Sequence, residues 1–414
     1  TIYQEFNLAK DLTVAENIFL GQLPRKGLTV DWKAVRERSR ALLDRLGATF
    51  SVDATVARLS VAEQQLVEIA KSLNRKTRIL VMDEPSAVLG EGDLERLFQV
   101  VRSLQAGGIG IIYISHRMRE IFELADEVTV LKDGRYVGTR HVSDVTMDEL
   151  VRLMIGRDLK DVYPKREPKL GEVLLDVKNL GRSKLVRDVS FHVRAGEIVG
   201  FAGITGSGRT EVVRAIFGAD PHTGEIRVAG APFRARSPTE AIRRGIALVN
   251  EDRKAHGLFL KLNVTVNTTI SALKWLCKLG VIQRAKESAL VQKMIRDLRI
   301  KTPGASFIVL NMSGGNQQKV ILARWLSVDT KILIMDEPTR GIDVGSKSEI
   351  YQIMNELTAR GVGIIMISSE LPEVLGMSDR VMVMREGTIV GELARAEATE
   401  EAIMKHAVGG VVLH

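Results

Sequence analysis

Apolar positions follow the same order in two separate stretches of the chain. Both stretches contain apolar residues at helical spacing, namely Ile69, Ala70 and Leu73 in the first and Leu322, Ala323 and Leu326 in the second. This spacing predicts a helix with one buried face. Each helix is followed by an unbroken apolar run, Ile79–Met82 or Ile332–Met335. A run without alternation is typical of a parallel strand buried on both faces, so the pattern predicts two α/β units.

The two stretches belong to one internal repeat. Residues 59–65 return as 312–318 and residues 82–85 return as 335–338, with an offset of 253 residues between Ser60 and Ser313. The offset holds without a gap as far as His116, which corresponds to Ser369. A repeat of this length predicts two copies of one nucleotide-binding domain.

The repeat also predicts the domain boundaries. We predict a first domain at 1–160, a linker at 161–172 and a second domain at 173–414. Two prolines and dense charge within the linker disfavour a helix. The offset puts the first copy's counterpart of a glycine-rich turn at 203–208 ahead of residue 1. We therefore expect the first domain to be incomplete, with roughly 80 residues of its N-terminal part outside this sequence.

Composition narrows the class of protein. Hydrophobic residues make up 45% of the chain and charged residues 27%, as in an ordinary globular protein. The net charge of +8 is scattered rather than clustered, and we expect no nucleic-acid partner. The lone Cys277 excludes a disulfide framework and indicates a reducing cytoplasm. The longest apolar runs, at 109–114 and 362–367, are far shorter than the roughly 20 residues of a membrane-spanning helix.

A glycine-rich segment at 203–210 predicts a phosphate-binding loop. It follows a strand-like segment at 197–202 and precedes a helix-like segment, and it matches the P-loop pattern except that Arg209 replaces lysine. Backbone amides at the start of a helix can wrap phosphates, and Thr210 can reach a magnesium ion. The candidate nucleotide-binding residues are Gly203, Ile204, Thr205, Gly206, Ser207, Gly208, Arg209 and Thr210. A guanidinium does not reproduce a compact ammonium, so we expect binding with inefficient turnover.

Acidic pairs end the two predicted buried strands. Asp83 and Asp336 are candidate magnesium ligands, because carboxylates at strand ends can hold this ion directly or through water. Glu84 and Glu337 are candidate catalytic residues that polarise the attacking water. His116 is a third catalytic candidate, since its imidazole can contact the terminal phosphate and orient Glu84.

Together these motifs resemble the ATP-binding cassette superfamily. A narrower resemblance is to the fused double-cassette subunit of bacterial monosaccharide importers, of the ribose, galactose, xylose and arabinose type. The residues that carry it are Arg209 and the segments 251–258, 338–345 and 368–374. The resemblance implies an α/β fold with two tandem P-loop NTPase domains, each with a mostly parallel core sheet and a helical signature subdomain, the first domain being incomplete.

In this family two cassettes pair head to tail, which implies that the two halves of the chain cross their motifs. One site then combines Asp83, Glu84 and His116 with the signature residues Ser313, Gly314, Gly315 and Asn316. The other combines Arg209, Thr210, Asp336 and Glu337 with Ser60, Val61, Ala62 and Glu63. Side chains replace the two glycines in the second site, and Glu63 adds negative charge near triphosphate. We expect hydrolysis at the first site and slow hydrolysis at the second.

The resemblance also implies partners and a location. Gln4 resembles the glutamine that links magnesium and the attacking water to the surface contacted by the membrane subunit. The implied ligands are ATP and Mg²⁺, and the implied partners are membrane permease subunits and, through them, a sugar-binding protein. The implied location is the cytoplasmic face of the cell membrane. We expect the 414-residue chain alone to hydrolyse ATP poorly, because its better site lacks a phosphate loop.

The sequence is also compatible with two alternative hypotheses about function. A tandem-cassette ATPase that acts on the ribosome would also contain two copies, but such proteins usually carry a long charged helical linker and two intact sites. A truncated remnant without turnover would keep the fold and lose the activity. A DNA-repair cassette is disfavoured, because the sequence has neither zinc-binding cysteines nor a coiled-coil insertion.

Overall fold

The computed structural model describes residues 1–3, 6–75, 77–86, 89, 91–115, 117–132, 134–155, 163–164, 167–183, 185–234 and 236–409, except for the side chains of residues 91, 132, 148 and 155. The chain divides into two compact units, unit 1 at Thr1–Met154 and unit 2 at Ile155–His414. Among the described residues, no helix is both long enough and apolar enough to cross a lipid bilayer.

Unit 1 contains helices, a short parallel strand pair and two antiparallel hairpins. Its helices are α1 (Val14–Ile18), α2 (Trp32–Arg45), α3 (Val61–Leu73), α4 (Glu91–Ala106), α5 (Met118–Leu124) and α6 (Met147–Ile155). Its strands are β1 (Arg25–Lys26), β2 (Thr29–Val30), β3 (Ile79–Asp83), β4 (Gly110–Ile114), β5 (Glu127–Lys132) and β6 (Arg135–His141). Strands β3 and β4 are parallel, whereas β1–β2 and β5–β6 are antiparallel hairpins.

The helices of unit 1 begin where the sequence provides caps. Thr13 and Glu16 form a capping box at the start of α1, and Ser60 and Glu63 form another at the start of α3. Helices α1, α2 and α3 pack on one another, with buried residues such as Val67 between them. The helix predicted from the spacing of Ile69, Ala70 and Leu73 is therefore present as α3.

Unit 2 contains a larger set of strands and helices. Its strands are β7 (Val173–Arg182), β8 (Val186–Arg194), β9 (Ile198–Ala202), β10 (Thr223–Val228), β11 (Ala231–Pro232), β12 (Ile246–Val249), β13 (Cys277–Lys278), β14 (Val281–Ile282), β15 (Ile332–Asp336), β16 (Gly363–Ile367), β17 (Arg380–Arg385) and β18 (Thr388–Ala394). Its helices are α7 (Arg209–Ile216), α8 (Pro238–Arg243), α9 (Val264–Thr269), α10 (Leu273–Leu276), α11 (Arg284–Asp297), α12 (Gly314–Leu326), α13 (Val344–Ala359), α14 (Leu371–Met377) and α15 (Glu400–Val408).

The core of unit 2 is a mostly parallel sheet. In the described part of the unit its strand order is β12-β15-β16-β9-β17-β18, and all neighbours are parallel except β17 and β18. Every residue of β9, β15 and β16 is buried, as the unbroken apolar runs predict. The carboxyl ends of these three strands meet at one edge of the sheet. A second, antiparallel sheet has the order β11-β10-β7-β8.

Equivalent strands differ in exposure between the two units. Ile112 and Ile114 of β4 are 54% and 46% exposed, whereas Ile365 and Ile367 of β16 are 0% and 1% exposed. In unit 2, β9 pairs with β16 on one side and β17 on the other. Within the described residues of unit 1, β4 pairs with β3 and β5 pairs with β6.

A helical subdomain of unit 2 is held by a buried arginine. Helices α9, α11 and α12 pack together, and Arg324 of α12 donates hydrogen bonds to the Gly257 carbonyl, the Asn267 carbonyl and Asn267 Oδ1. Burial lowers the pKa of the Arg324 guanidinium to about 10. The α/β class predicted from the sequence, with its mostly parallel core sheet, is confirmed in unit 2.

Candidate functional site

Three glycines shape the loop between β9 and α7. Gly203, Gly206 and Gly208 have φ angles of 153°, 80° and 99°, which disfavour any residue with a Cβ. A Cβ on Gly203 would lie 2.4 Å from the Met384 carbonyl oxygen, and one on Gly208 would lie 2.8 Å from the Leu185 carbonyl oxygen. The segment at 203–210 therefore folds as the sequence predicts, a glycine turn that leads into the first turn of a helix.

Thr210 and Asp336 bring together two candidate oxygen ligands. Thr210 Oγ1 donates a hydrogen bond of 2.8 Å to Asp336 Oδ2. Asp336 is 3% exposed, and this burial raises the pKa of its carboxyl group to about 6, against the opposing effect of the bond from Thr210. Its Oδ1 and the Oγ of Ser207 are buried and make no hydrogen bond within the described residues. These oxygens suit a hard divalent cation and its attendant phosphate.

Arg209 is held between the glycine loop and the end of β16. Its side chain is buried, and its Nη1 donates a 2.9 Å hydrogen bond to the carbonyl oxygen of Ser368. A lysine ammonium could not present the same planar fork to a carbonyl and a phosphate together. The substitution noted in the sequence therefore joins the phosphate-loop helix to the loop after β16.

Glu337 has a left-handed backbone and a hydroxyl partner. Its φ is 48°, its N–H donates to the Ile367 carbonyl at 2.9 Å, and its Oε2 accepts a 3.1 Å hydrogen bond from Ser369 Oγ. Burial raises the pKa of the Glu337 carboxyl group. Glu84 in unit 1 has the same backbone, with a φ of 44° and an N–H bond of 2.9 Å to the Ile114 carbonyl. Left-handed non-glycine residues of this kind cluster at functional sites.

The signature segment of unit 2 begins α12. Ser313 is its N-cap, and Asn316 Nδ2 donates to Ser313 Oγ at 2.9 Å. A Cβ on Gly314 would lie 2.7 Å from Arg253 Nη2, and one on Gly315 would lie 2.3 Å from Ser346 Oγ. Both glycines are therefore required for this close packing.

Arg253 holds the loop after β15 beside the signature segment. Its Nη1 donates to the Arg340 carbonyl at 2.7 Å and its Nη2 donates to the Gly341 carbonyl at 2.9 Å. Arg340 in turn forms an ion pair with Glu251. Burial lowers the pKa of the Arg253 guanidinium. The segment 251–258, noted in the sequence, thus reaches the start of α12 through this arginine.

The signature segment of unit 1 has a different local structure. Ser60 Oγ accepts a hydrogen bond from the Glu63 N–H at 3.3 Å, and the Ser60 N–H donates to Glu63 Oε2 at 2.8 Å. Glu63 is thus engaged with its own helix terminus, whereas Ser313 Oγ accepts from Asn316. The exposed Val61 follows Ser60 at the position of the first glycine in unit 2.

The structure brings together several of the predicted site residues within each unit. In unit 2 the segment 203–210, Asp336 and Glu337 lie at the same edge of the sheet, and Ser369 contacts Glu337. In unit 1, Asp83 ends β3 and Glu84 bonds to the end of β4. Gln4 and His116 lie outside the described residues. The chemical roles of all these residues remain predictions.

Sequence reasoning missed two buried carboxylates, Glu120 and Glu373. They are 0% and 1% exposed, and each lies five residues after the serine that follows a core strand, Ser115 or Ser368. The internal repeat held the signal that could have found them, since the two acids are themselves 253 residues apart.

The sequence of the chain is similar to those of known ATP-binding proteins of transporters. The family model described as ABC transporter matches residues 1–87 and 186–340. The ribose import ATP-binding protein RbsA 1 of Rubrobacter xylanophilus is 50% identical over 412 residues, which cover 99% of this chain and 82% of that protein. A putative ribose/galactose/methyl galactoside import ATP-binding protein of Rhizobium etli is 48% identical over 416 residues, which cover 99% of this chain and 79% of that protein.

Solved structures give the same fold. The ADP conformation of MJ1267, an ATP-binding cassette of an ABC transporter, has a TM-score of 0.50 and 22% identity, and the match covers 58% of this chain and all of that chain. The match confirms the predicted cassette fold. Together with the family match and the identity to curated relatives, it also confirms the resemblance drawn from the motifs. The chain belongs to the ABC transporter family, and its folded core is that of an ATP-binding cassette.

Proposed function

We propose that this chain is the ATP-binding and ATP-hydrolysing subunit that energises monosaccharide import through a membrane permease. The observation that carries the proposal is its identity of 45–50% to ribose import ATP-binding proteins from several bacteria, over 99% of its length. The glycine loop and the acidic strand end of unit 2 supply the chemistry that this function needs. The implied partners are permease subunits at the cytoplasmic face of the membrane and, through them, a sugar-binding protein.

The proposal includes two unequal nucleotide sites between the cassettes. In the first, Glu84 polarises the water that attacks the γ-phosphate and His116 contacts that phosphate. The bare amides of Gly314 and Gly315 and the hydroxyl of Ser313 stabilise the negative charge that develops on it. Since the glycines leave no Cβ, the backbone can approach closely.

In the second site the glycine loop of unit 2 binds ATP and hydrolyses it slowly. Ser369 Oγ and Glu337 are already hydrogen-bonded to each other, and no imidazole stands at that position. Val61 and Ala62 replace the signature glycines. The site therefore holds nucleotide while the other site turns over.

Thr210 and Asp336 fit a magnesium ion in the second site, and Asp83 and Gln4 are its proposed ligands in the first. The fit rests on the unsatisfied Oδ1 of Asp336 and its neighbouring hydroxyl. A bound magnesium ion neutralises charge on the β- and γ-phosphates. Thr210 and Asp336 supply oxygen ligands, and water and phosphate supply the remainder.

The test uses the full-length protein assembled with its permease in proteoliposomes. Glu84→Gln lowers ATPase and sugar uptake by about a hundredfold or more, whereas the matched variant Glu337→Gln lowers both by less than about fivefold. Equal losses in the two variants would contradict the unequal sites. If the unmodified complex shows no ATP-dependent uptake of a monosaccharide, the import function itself is contradicted.

A further inference from the structure

We infer that Glu120 is a positioning residue for ATP hydrolysis, because its buried carboxylate ties Ser86, two residues after Glu84, to Ser115, which follows β4. Glu373 forms the equivalent bridge in unit 2. The inference rests on the proposed function, in which Glu84 and His116 act on the γ-phosphate. Neither acid is assigned a role there.

The carboxylate of Glu120 accepts hydrogen bonds from two different loops. Ser86 Oγ donates to its Oε1 at 2.5 Å, and Ser86 lies two residues after Glu84. Ser115 Oγ donates to its Oε2 at 2.7 Å, and Ser115 ends the segment just before His116. The Tyr113 hydroxyl also donates to Oε2, at 3.1 Å. One fully buried group therefore connects the ends of β3 and β4.

The same contacts fix both sides of residue 116. Ser115 Oγ, which donates to Glu120, accepts a 3.0 Å hydrogen bond from the N–H of Arg117. Arg117 also lies 3.5 Å from Glu120 Oε1 through its Nη1. Ser115 and Arg117, the residues before and after position 116, are thus both attached to the Glu120 carboxylate.

Unit 2 repeats the arrangement with different residues. Thr339 Oγ1 donates to Glu373 Oε1 at 2.9 Å, Ser368 Oγ donates to Oε2, and the N–H of Glu370 donates to Ser368 Oγ at 3.0 Å. Thr339 replaces Ser86, so a hydroxyl is the feature that the two copies share. Burial raises the pKa of the Glu373 carboxyl group to about 7.

Chemistry explains why a carboxylate is needed at this position. A carboxylate has two acceptor oxygens and can take hydrogen bonds from both loops at once, whereas an amide has one acceptor oxygen and an N–H₂ group that only donates. Glu120→Gln would put an amide N–H₂ against a hydroxyl, which must then turn away from its present partner. The distance between Ser86 and Ser115 would no longer be set by a shared acceptor. A small displacement of a catalytic group lowers kcat strongly and changes the affinity for substrate less.

The test uses the full-length protein with its permease and measures kcat and KM for ATP. Glu120→Gln lowers kcat by about tenfold or more and changes KM by less than about threefold. Ser115→Ala lowers kcat by about threefold to tenfold. The double variant Glu120→Gln/Ser115→Ala has a kcat within about twofold of that of Glu120→Gln, because both changes break the same connection. Ser115→Ala also carries the test if Glu120→Gln fails to fold.

Two controls separate positioning from general stability. Glu123 lies on the same helix as Glu120, and its side chain pairs with Arg102. Glu123→Gln therefore leaves kcat within about twofold of that of the unmodified protein. Glu373→Gln removes the equivalent bridge beside the slow site and leaves kcat within about threefold. Unchanged kcat in Glu120→Gln, multiplied losses in the double variant, or an equal loss in Glu373→Gln would overturn the inference. If Glu84→Gln itself retains full ATPase, the proposed function fails independently of Glu120.

Discussion

Thr210 Oγ1 donates a 2.8 Å hydrogen bond to Oδ2 of Asp336, which joins the first turn of α7 to the carboxyl end of β15. Strand β16 lies between β15 and the strand that leads into α7, so the contact spans the width of one intervening strand. The remaining oxygen of Asp336 makes no hydrogen bond within the described residues. Burial of an ionised carboxylate with one unbonded oxygen lowers the free energy of unfolding, and the pH dependence of stability measures this cost.

Asp336→Asn is expected to stabilise unit 2 in the absence of nucleotide at neutral and alkaline pH. The folded-state pKa of about 6 exceeds the ordinary value of 3.8, so the folded protein retains a proton that the unfolded chain loses. Stability therefore falls as pH rises from about 4 to about 6 and then stays lower. The variant avoids this loss and gains roughly 1–3 kcal/mol at pH 8, with little gain near pH 4.

Urea unfolding of the 414-residue chain at several pH values measures this difference. The control is Asp329→Asn, whose side chain is exposed. A constant difference between Asp336→Asn and the unmodified chain at all pH values would show that burial does not raise this pKa.

Arg209→Ala is expected to weaken ATP binding by the glycine loop of unit 2 by about tenfold or more, because charge-assisted hydrogen bonds contribute about 1.5–3 kcal/mol each. The reason lies in the position of Arg209, which is buried beside the loop and bonded to Ser368. Arg209→Lys keeps the charge and loses less than about tenfold. Calorimetric titration of the 414-residue chain with ATP measures both. Unchanged affinity in Arg209→Ala would exclude contact of this side chain with phosphate.

Gly208→Ala is expected to destabilise unit 2 more than Gly206→Ala does. Both positions have positive φ, so an alanine is strained at each by about 1 kcal/mol. At Gly208 a Cβ would also lie 2.8 Å from the Leu185 carbonyl oxygen. At Gly206 no atom of the described residues lies within 4 Å of such a Cβ. Melting temperatures without nucleotide separate these two effects. Equal losses of stability would mean that the backbone near Leu185 moves freely to make room.

Arg253→Ala is expected to loosen the loop at 339–343 without unfolding the unit. The arginine supplies two hydrogen bonds, at 2.7 and 2.9 Å, to the carbonyl groups of Arg340 and Gly341. Their removal raises the hydrogen-exchange rate of the amides at 340–342 by about tenfold or more, since each charged hydrogen bond contributes about 1.5–3 kcal/mol. Lys254→Ala, at the next and exposed position, is the matched control. Identical exchange in the two variants would refute the role of Arg253.

The sequence predicted the parts of the site that depend on local patterns. The unbroken apolar runs identified β3 and β15 as strands, and Asp83 and Asp336 lie at the strand ends as expected. The prediction that both strands are buried on both faces is correct for β15 and wrong for β3, where Ile79 is 64% exposed. The glycine spacing identified the loop at 203–210, because only glycine fits the backbone that it adopts. The spacing of Ser60 and Glu63 also predicts a capping box, which the structure contains. From the sequence we considered only the charge of Glu63.

Other features depend on contacts between residues far apart in sequence. The bridge from Glu120 to Ser86 spans 34 residues, and the bond from Arg253 to Gly341 spans 88 residues. No periodicity within either segment encodes such a contact. The left-handed backbone of Glu84 was not predicted either, because it arises from the hydrogen bond to the neighbouring strand rather than from a local preference of glutamate.

Glu337 has the same left-handed backbone conformation as Glu84, and this conformation bears on how the site responds to heating. The N–H of Glu337 forms the terminal rung between β15 and β16, and the left-handed conformation lasts only as long as that rung does. Loss of this bond, together with the bond from Ser369 Oγ to Glu337 Oε2, would let the residue relax to an ordinary conformation at less free energy than unfolding the unit. We therefore expect heating to release the Glu337 carboxylate at a lower temperature than it unfolds the sheet behind it.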